Sequence, residues 1–239
     1  MKPMPAWLAL TCRILLTVLI PVVLTLTNVR LLMTPLFPNI EYNLPGFPPD
    51  LYGFTKADRL KWSRVAIDYL LNSAGIEFLG DLRFPEGQTA PPESWEYYTT
   101  RDNTYLYNDR ELRHMVDVKN VTRAALTVWA VGVIIALLCA GALYSFGEKT
   151  ALRAGLLGGA GITLVIYFGL ITYIVVNFSA LFVQFHQVFF EGGTWLFLFS
   201  DTLIRLFPVR FWQDAFTFIG GASIVEAAVI GAWAWWGLK

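Results

Sequence analysis

The chain has 239 residues, of which 56% are hydrophobic and only 15% charged. A soluble domain carries about 25% charged residues, so an ordinary soluble core is excluded and a chain solvated largely by lipid is expected. The formal net charge is zero, which gives no reason to expect nucleic acid or another polyanion as partner.

A helix needs roughly 20 apolar residues to cross a bilayer core, and four stretches qualify. Residues 1–29 hold the first, an apolar run from Trp7 to Val29 interrupted by Arg13, which can snorkel toward headgroups. No small-x-small site follows in Thr27-Asn28-Val29-Arg30-Leu31, so an uncleaved anchor is expected rather than a signal peptide. Residues 30–123 form an extracytoplasmic domain, 124–146 the second span, 147–153 a cytoplasmic loop and 154–176 the third span. Residues 177–214 are rich in Phe and Leu but broken by Glu191-Gly192-Gly193, Asp201 and Pro208, which reads as an interfacial or re-entrant outer segment. The fourth span and the C-terminus fill 215–239. Lys149 and Arg153 face one acid, Glu148, in the short 147–153 loop, and Lys2, Arg13 and Lys239 flank the termini. The positive-inside rule then puts that loop and both termini in the cytoplasm.

In the outer domain, the Pro-rich run Pro35–Pro49 cannot be helical for long. Thr55 with Asp58 caps a helix from Lys56 to about Ala74, stopped by Gly75, with Leu60, Ile67, Leu70 and Leu71 as its apolar face. Residues 83–104 read as loop, with a short strand pair as the one β candidate. Asn108 with Glu111 caps a second helix that runs through His114 into the second span. The fold class is therefore a mainly α integral membrane protein: four transmembrane helices with an outer-face domain of helix, loop and short strands.

Only two histidines are present. His114 lies shortly before the second span and His186 shortly after the third, which puts both near the outer membrane surface. A histidine at that depth can be an interfacial hydrogen-bonding residue. Acids nearby favour a catalytic reading: Asp117 is three residues from His114, on the same face of a helix, and Glu191 and Asp201 follow His186. A histidine with a carboxylate orienter is the usual general base near neutral pH. Two histidines with carboxylates could instead bind zinc, although HExxH spacing is missing. Cys12 and Cys139 lie in apolar stretches and read as small hydrophobes. Gly155 and Gly159 have the GxxxG spacing of helix packing. Glu226 inside the fourth span needs a polar partner. Arg205, Arg210 and Trp212 are placed to hold headgroups or to anchor the interface.

Three blocks carry a family resemblance. Arg110 to Lys119 contains His114-Met115-Val116-Asp117-Val118-Lys119, which resembles an HMxDVK signature. Phe185-His186-Gln187-Val188-Phe189-Phe190, Gly193-Thr194-Trp195, Asp201 to Pro208 and Phe211-Trp212 resemble a second. Tyr52-Gly53-Phe54 fits the start of the outer helix. The chain resembles, over nearly its whole length, the four-span bacterial membrane proteins of the lipoprotein intramolecular transacylase family.

The resemblance implies an acyltransferase of the bacterial inner membrane, active at the outer leaflet. It would move the sn-2 acyl chain from the diacylglyceryl group of a lipoprotein N-terminal cysteine to that cysteine's α-amine, giving a lyso-form lipoprotein. Its partners would be diacylglyceryl-modified lipoproteins and membrane lipid, with no metal and no cofactor. The catalytic histidines carry over to His114 and His186. From their own placement, Asp117 and Asp201 are candidate orienters, Lys119 and Arg205 candidate contacts to an oxyanion or phosphate, and Arg210, Trp195 and Trp212 candidate contacts to substrate or headgroup. Two rival readings are a non-catalytic membrane subunit or assembly factor with this fold, and a metal-dependent membrane hydrolase.

Overall fold

The computed structural model describes residues 3–190 and 192–237; Lys2, Glu191 and Lys239 lie outside them. Its elements in chain order are α1 (Ala6–Leu32), α2 (Leu36–Glu41), α3 (Lys56–Leu71), α4 (Glu77–Gly80), a 3-10 turn (Pro92–Tyr97), α5 (Asp109–Ser145), α6 (Lys149–Phe189), α7 (Thr202–Leu206) and α8 (Val209–Trp236). Helices α1, α5, α6 and α8 are long and apolar enough to cross a membrane. At 1.5 Å per residue, the 37 residues of α5 rise roughly 55 Å, well beyond the ~30 Å hydrocarbon core. Helix α6 is two helical stretches joined at Asn177, whose φ of −157° and ψ of 74° leave the helical region.

The chain divides into two compact units. The first holds the chain up to Leu31, Ala125–Asn177 and Phe216 onward. Here small residues let helices approach closely: a Cβ on Gly155 would sit 3.0 Å from the Arg13 carbonyl oxygen, and one on Gly159 would sit 2.6 Å from Ile20 Cβ. That is helix packing of the small-xxx-small kind. Glu226 accepts from Asn28 Nδ2 at 3.0 Å, and the same amide donates to Ser223 Oγ at 3.1 Å. Its partner is thus an amide on α1.

The second unit comprises Leu32–Ala124 and Phe178–Ala215. Thr55 and Asp58 form a reciprocal capping box at the start of α3. This helix ends at Leu71, earlier than Ala74, because Asn72 turns extended (ψ 175°) and caps Ala74 N with its side chain. Its buried face is Arg59, Trp62, Ser63, Ala66 and Tyr69; of the expected stripe, Leu70 packs partly buried against that core and Leu71 is exposed. Arg59 is accepted inside because it donates to the Pro48 carbonyl at 2.6 Å. The expected strand pair reduces to one bridge, Arg83 to Tyr105. Pro85, Pro91 and Pro92 cannot donate to a ladder, so Phe84 and Ala90 make single bonds to the Thr104 and Asn103 carbonyls. The Pro-rich run contains the six-residue α2, with Pro38 inside it.

Candidate active site

Asn108 fixes one wall of the site. Its side chain accepts from Glu111 N at 3.0 Å, and Glu111 Oε2 accepts from Asn108 N at 2.9 Å, closing a capping box. The other Glu111 oxygen accepts from Leu203 N at 2.6 Å, and Thr202 donates to the Leu106 carbonyl at 2.5 Å. These bonds tie the start of α5 to the start of α7. Burial and the neighbouring Asp201 charge push Glu111 up to about 8, against those N–H donors. Asp109 goes the other way: burial opposes its ionisation, but donors from Thr100 and Thr99 hold it at about 2.

One turn into α5 comes His114. It faces His186, on the Phe178–Phe189 part of α6, with ring centroids 6.3 Å apart and planes 21° from parallel. The two residues are only 7% and 8% exposed. The walls are aromatic. Phe190 and Phe197 stand edge-on to His114 at 4.8 and 5.2 Å. Phe182 and Trp195 pack on His186 at 4.0 and 5.0 Å. Gly192 and Gly193, at φ 65° and 72°, make the reversal that carries Trp195 back over the histidine, a conformation that side chains with a Cβ disfavour.

This dry shell sets the protonation states. Burial, then the neighbouring His186 charge, lower His114 from 6.5 to about 4. Burial also lowers His186, although a hydrogen bond to the Phe182 carbonyl works the other way. Both rings are therefore neutral at pH 7. His186 Nδ1 lies 2.8 Å from the Phe182 oxygen. A carbonyl only accepts, so Nδ1 carries the proton and Nε2 keeps its lone pair. His114 Nδ1 is buried with no hydrogen-bond partner among the described residues.

Other residues singled out by the sequence take different places. Asp117 accepts from Thr194 Oγ1 at 3.4 Å and makes no hydrogen bond to His114. Asp201 binds Asn108 Nδ2 at 2.9 Å, Leu198 N at 2.8 Å and Arg110 Nη2 at 2.5 Å; it orients α5 and the loop, not a histidine. Lys119 donates to Asn72 and to the Ala74 carbonyl and lies 3.9 Å from the Tyr69 ring, so its charge is used inside the domain. Arg205 is bound to Asp50 and the Tyr52 carbonyl over the Phe54 ring, again as a structural cation. Arg210 pairs with Asp214. Trp195 is in the shell, and Trp212 touches it through Phe182, at 6.3 Å. Phe190 closes the block around His186 that carried the family resemblance, whereas Phe182 and Phe197 had no sequence signal beyond apolarity. Arg110 did have one, a position four residues before His114 on the same helix face.

Four helices long and apolar enough to cross a membrane define a multi-pass membrane protein, and its two histidines lie buried face to face inside an aromatic shell. The family model for the lipoprotein intramolecular transacylase Lit matches residues 13–212. The chain belongs to the lipoprotein intramolecular transacylase family and is an acyltransferase. It is similar to the in meso structure of the membrane-integral lipoprotein intramolecular transacylase Lit from Bacillus cereus: TM-score 0.73, 20% identity, 97% of this chain and 96% of that one. A histidine-to-alanine variant of that protein matches with a TM-score of 0.64 at 18% identity, over 95% of this chain and 91% of that one. An uncharacterised protein of Aquifex aeolicus (strain VF5) is 26% identical over 224 residues, 91% of this chain and 90% of that protein.

Proposed function

We propose that His186 is the general base and His114 the oxyanion donor of an intramolecular acyl transfer on a diacylglyceryl-modified lipoprotein cysteine. The α-amine of the cysteine has a pKa of about 7.7–8.0, so a useful fraction is neutral near pH 7. It attacks the sn-2 ester carbonyl. His186 Nε2 takes the proton from the attacking nitrogen, while an N–H of His114 stabilises the oxyanion. Collapse breaks the carbonyl–glycerol oxygen bond, and the His186 imidazolium returns its proton to that oxygen. The products are an N-acyl cysteine and a free glycerol hydroxyl, the lyso form. Proton and charge balance without any further reactant, and nucleophile and ester share one molecule, so positioning supplies much of the acceleration.

The observation that carries this reading is the stacked histidine pair at 6.3 Å inside an aromatic shell. The His186 tautomer supports its role as base, and the depressed His114 pKa keeps a second positive charge from forming beside the imidazolium. The membrane is the bacterial inner membrane, with both termini and the 147–153 loop cytoplasmic and the histidines at the outer leaflet. Arg210 and Trp212 contact headgroups, and Trp195 contacts substrate.

Replacing either histidine by Ala removes a group for which no third histidine can substitute. Loss of a general acid or base costs about 100- to 10,000-fold. In a host lacking other N-acyltransferases, wild-type protein should give N-acylated lyso-lipopeptide by mass spectrometry. Each Ala variant, still inserted in the membrane, should leave the diacylglyceryl form with a free amine. Near wild-type lyso product from both variants would remove the two-histidine mechanism, and loss of wild-type activity on chelation would favour a metal site instead.

A further inference from the structure

Arg110 lies four residues before His114 on α5, one helical turn away on the same face. The two side chains share a wall: the Phe197 ring is 5.5 Å from the Arg110 guanidinium carbon and 5.2 Å from the His114 ring. The guanidinium is also 3.6 Å from the Tyr97 ring centroid. Asp201 binds its Nη2, and the Asp201 carboxylate is itself fixed by Asn108 Nδ2 and Leu198 N. A guanidinium has five N–H donors. Here Nε is buried without a partner among the described residues, while the side chain keeps 16% exposure. The guanidinium is thus paired with Asp201 and hydrogen-bonded to Tyr97, with Nε left without an acceptor among the described residues and part of the side chain still open to solvent.

We infer that Arg110 is the substrate-positioning residue that binds a backbone carbonyl of the lipoprotein, within one or two residues of the acylated cysteine. This rests on the acyl-transfer reading above. The neutral Arg110–Asp201 pair suits a neutral acceptor better than a full anion. One turn of helix is 5.4 Å, and an extended peptide advances about 3.5 Å per residue, so a cysteine amine held at the histidines brings its first carbonyls to Arg110. The reacting ester and amine then sit at the histidines while the polypeptide leaves past Arg110 and Tyr97. Such a contact selects a lipidated peptide over ordinary diacylglycerolipid, which carries no peptide carbonyl there.

The test compares two substrates on purified protein. One is a diacylglyceryl-cysteine dipeptide amide; the other is the S-diacylglyceryl derivative of cysteamine, which has the amine and both esters but no carbonyl beyond the amine. The variants are Arg110→Lys, which keeps a charge opposite Asp201, and the double change Arg110→Gln with Asp201→Asn, which leaves no buried charge unpaired. Each variant is compared with wild type on the same substrate, so amine basicity cancels. The expected result is a KM for the dipeptide raised tenfold or more in both variants, with kcat within about threefold, and unchanged constants for the cysteamine compound. Equal losses on both substrates, or no loss on either, would overturn the inference and leave the histidine mechanism standing. Wild-type protein that acylates neither compound would overturn the acyl-transfer reading together with it.

Discussion

Removing a histidine from water disfavours its charged form, and His114 shows the consequence. Its pKa falls to about 4 through burial and the neighbouring His186 charge, and His186 is lowered by burial. In the proposed mechanism both rings act from the neutral form, so kcat/KM should fall on the acid side with an apparent pKa below 6.5, the ordinary histidine value. A pH–rate profile on the lipopeptide checks this, and an acid limb at or above 6.5 would contradict it. Stability should follow the same groups. Between about 4 and 6.5 the unfolded chain binds more protons at position 114 than the folded one, so stability falls as pH drops through that window. His114→Ala should flatten that part of the stability curve. At this scale the sequence disclosed a good deal: two histidines near matching span ends pointed to one site. The partners of the two acids were not legible: a carboxylate three residues from His114 bonds Thr194, and Asp201 bonds Asn108, Leu198 and Arg110, all chosen by the tertiary fold. Among the many aromatic residues, Phe190 and Trp195 lay in the block that carried the resemblance, while Phe182 and Phe197 gave no sign that they would wall the histidines.

Helix starts were legible because capping is local chemistry. Thr55 with Asp58 and Asn108 with Glu111 each satisfy backbone donors within three residues of their own position. The buried face of α3 was not, because Trp62, Ala66 and Tyr69 are selected by distant partners and Arg59 is made acceptable by the Pro48 carbonyl. Small residues in α6 split the same way: spacing marks them all alike, but only some meet α1. Gly155→Ala would put a methyl 3.0 Å from the Arg13 carbonyl oxygen, a backbone atom that cannot rotate aside, whereas Gly161→Ala meets nothing within 4 Å. The first change should destabilise by about 1–3 kcal/mol, as overpacking does. The second should be neutral or slightly stabilising, since Ala is the better helix former. Thermal unfolding in detergent separates the two, and equal Tm values would contradict the α1–α6 packing.

Across the whole chain, the proposed orientation rests on charge placement. Four helices are apolar enough to cross a membrane, and the connection from Ser145 to Lys149 is too short to be anything but a tight turn at one surface. His114 lies toward the start of α5 and His186 toward the end of α6, each far along its helix from that turn. Lys149 and Arg153 beside the turn outnumber Glu148, and basic residues in short loops stay on the cytoplasmic side. The turn should then be inside and the histidines outside, the face the acyl-transfer proposal requires. The basic residues of 32–123 do not oppose this, since segments of that length are moved across largely regardless of charge. Replacing Cys12 and Cys139 with Ala gives a background free of native thiols; single cysteines are then placed at Lys149 and at the half-exposed Trp95. In intact inner-membrane spheroplasts an impermeant maleimide should label position 95 and spare position 149 until the cells are lysed. The reverse pattern would put the histidine pair on the cytoplasmic face, away from any lipoprotein already exported, and would remove the acyl-transfer reading more decisively than a low activity could.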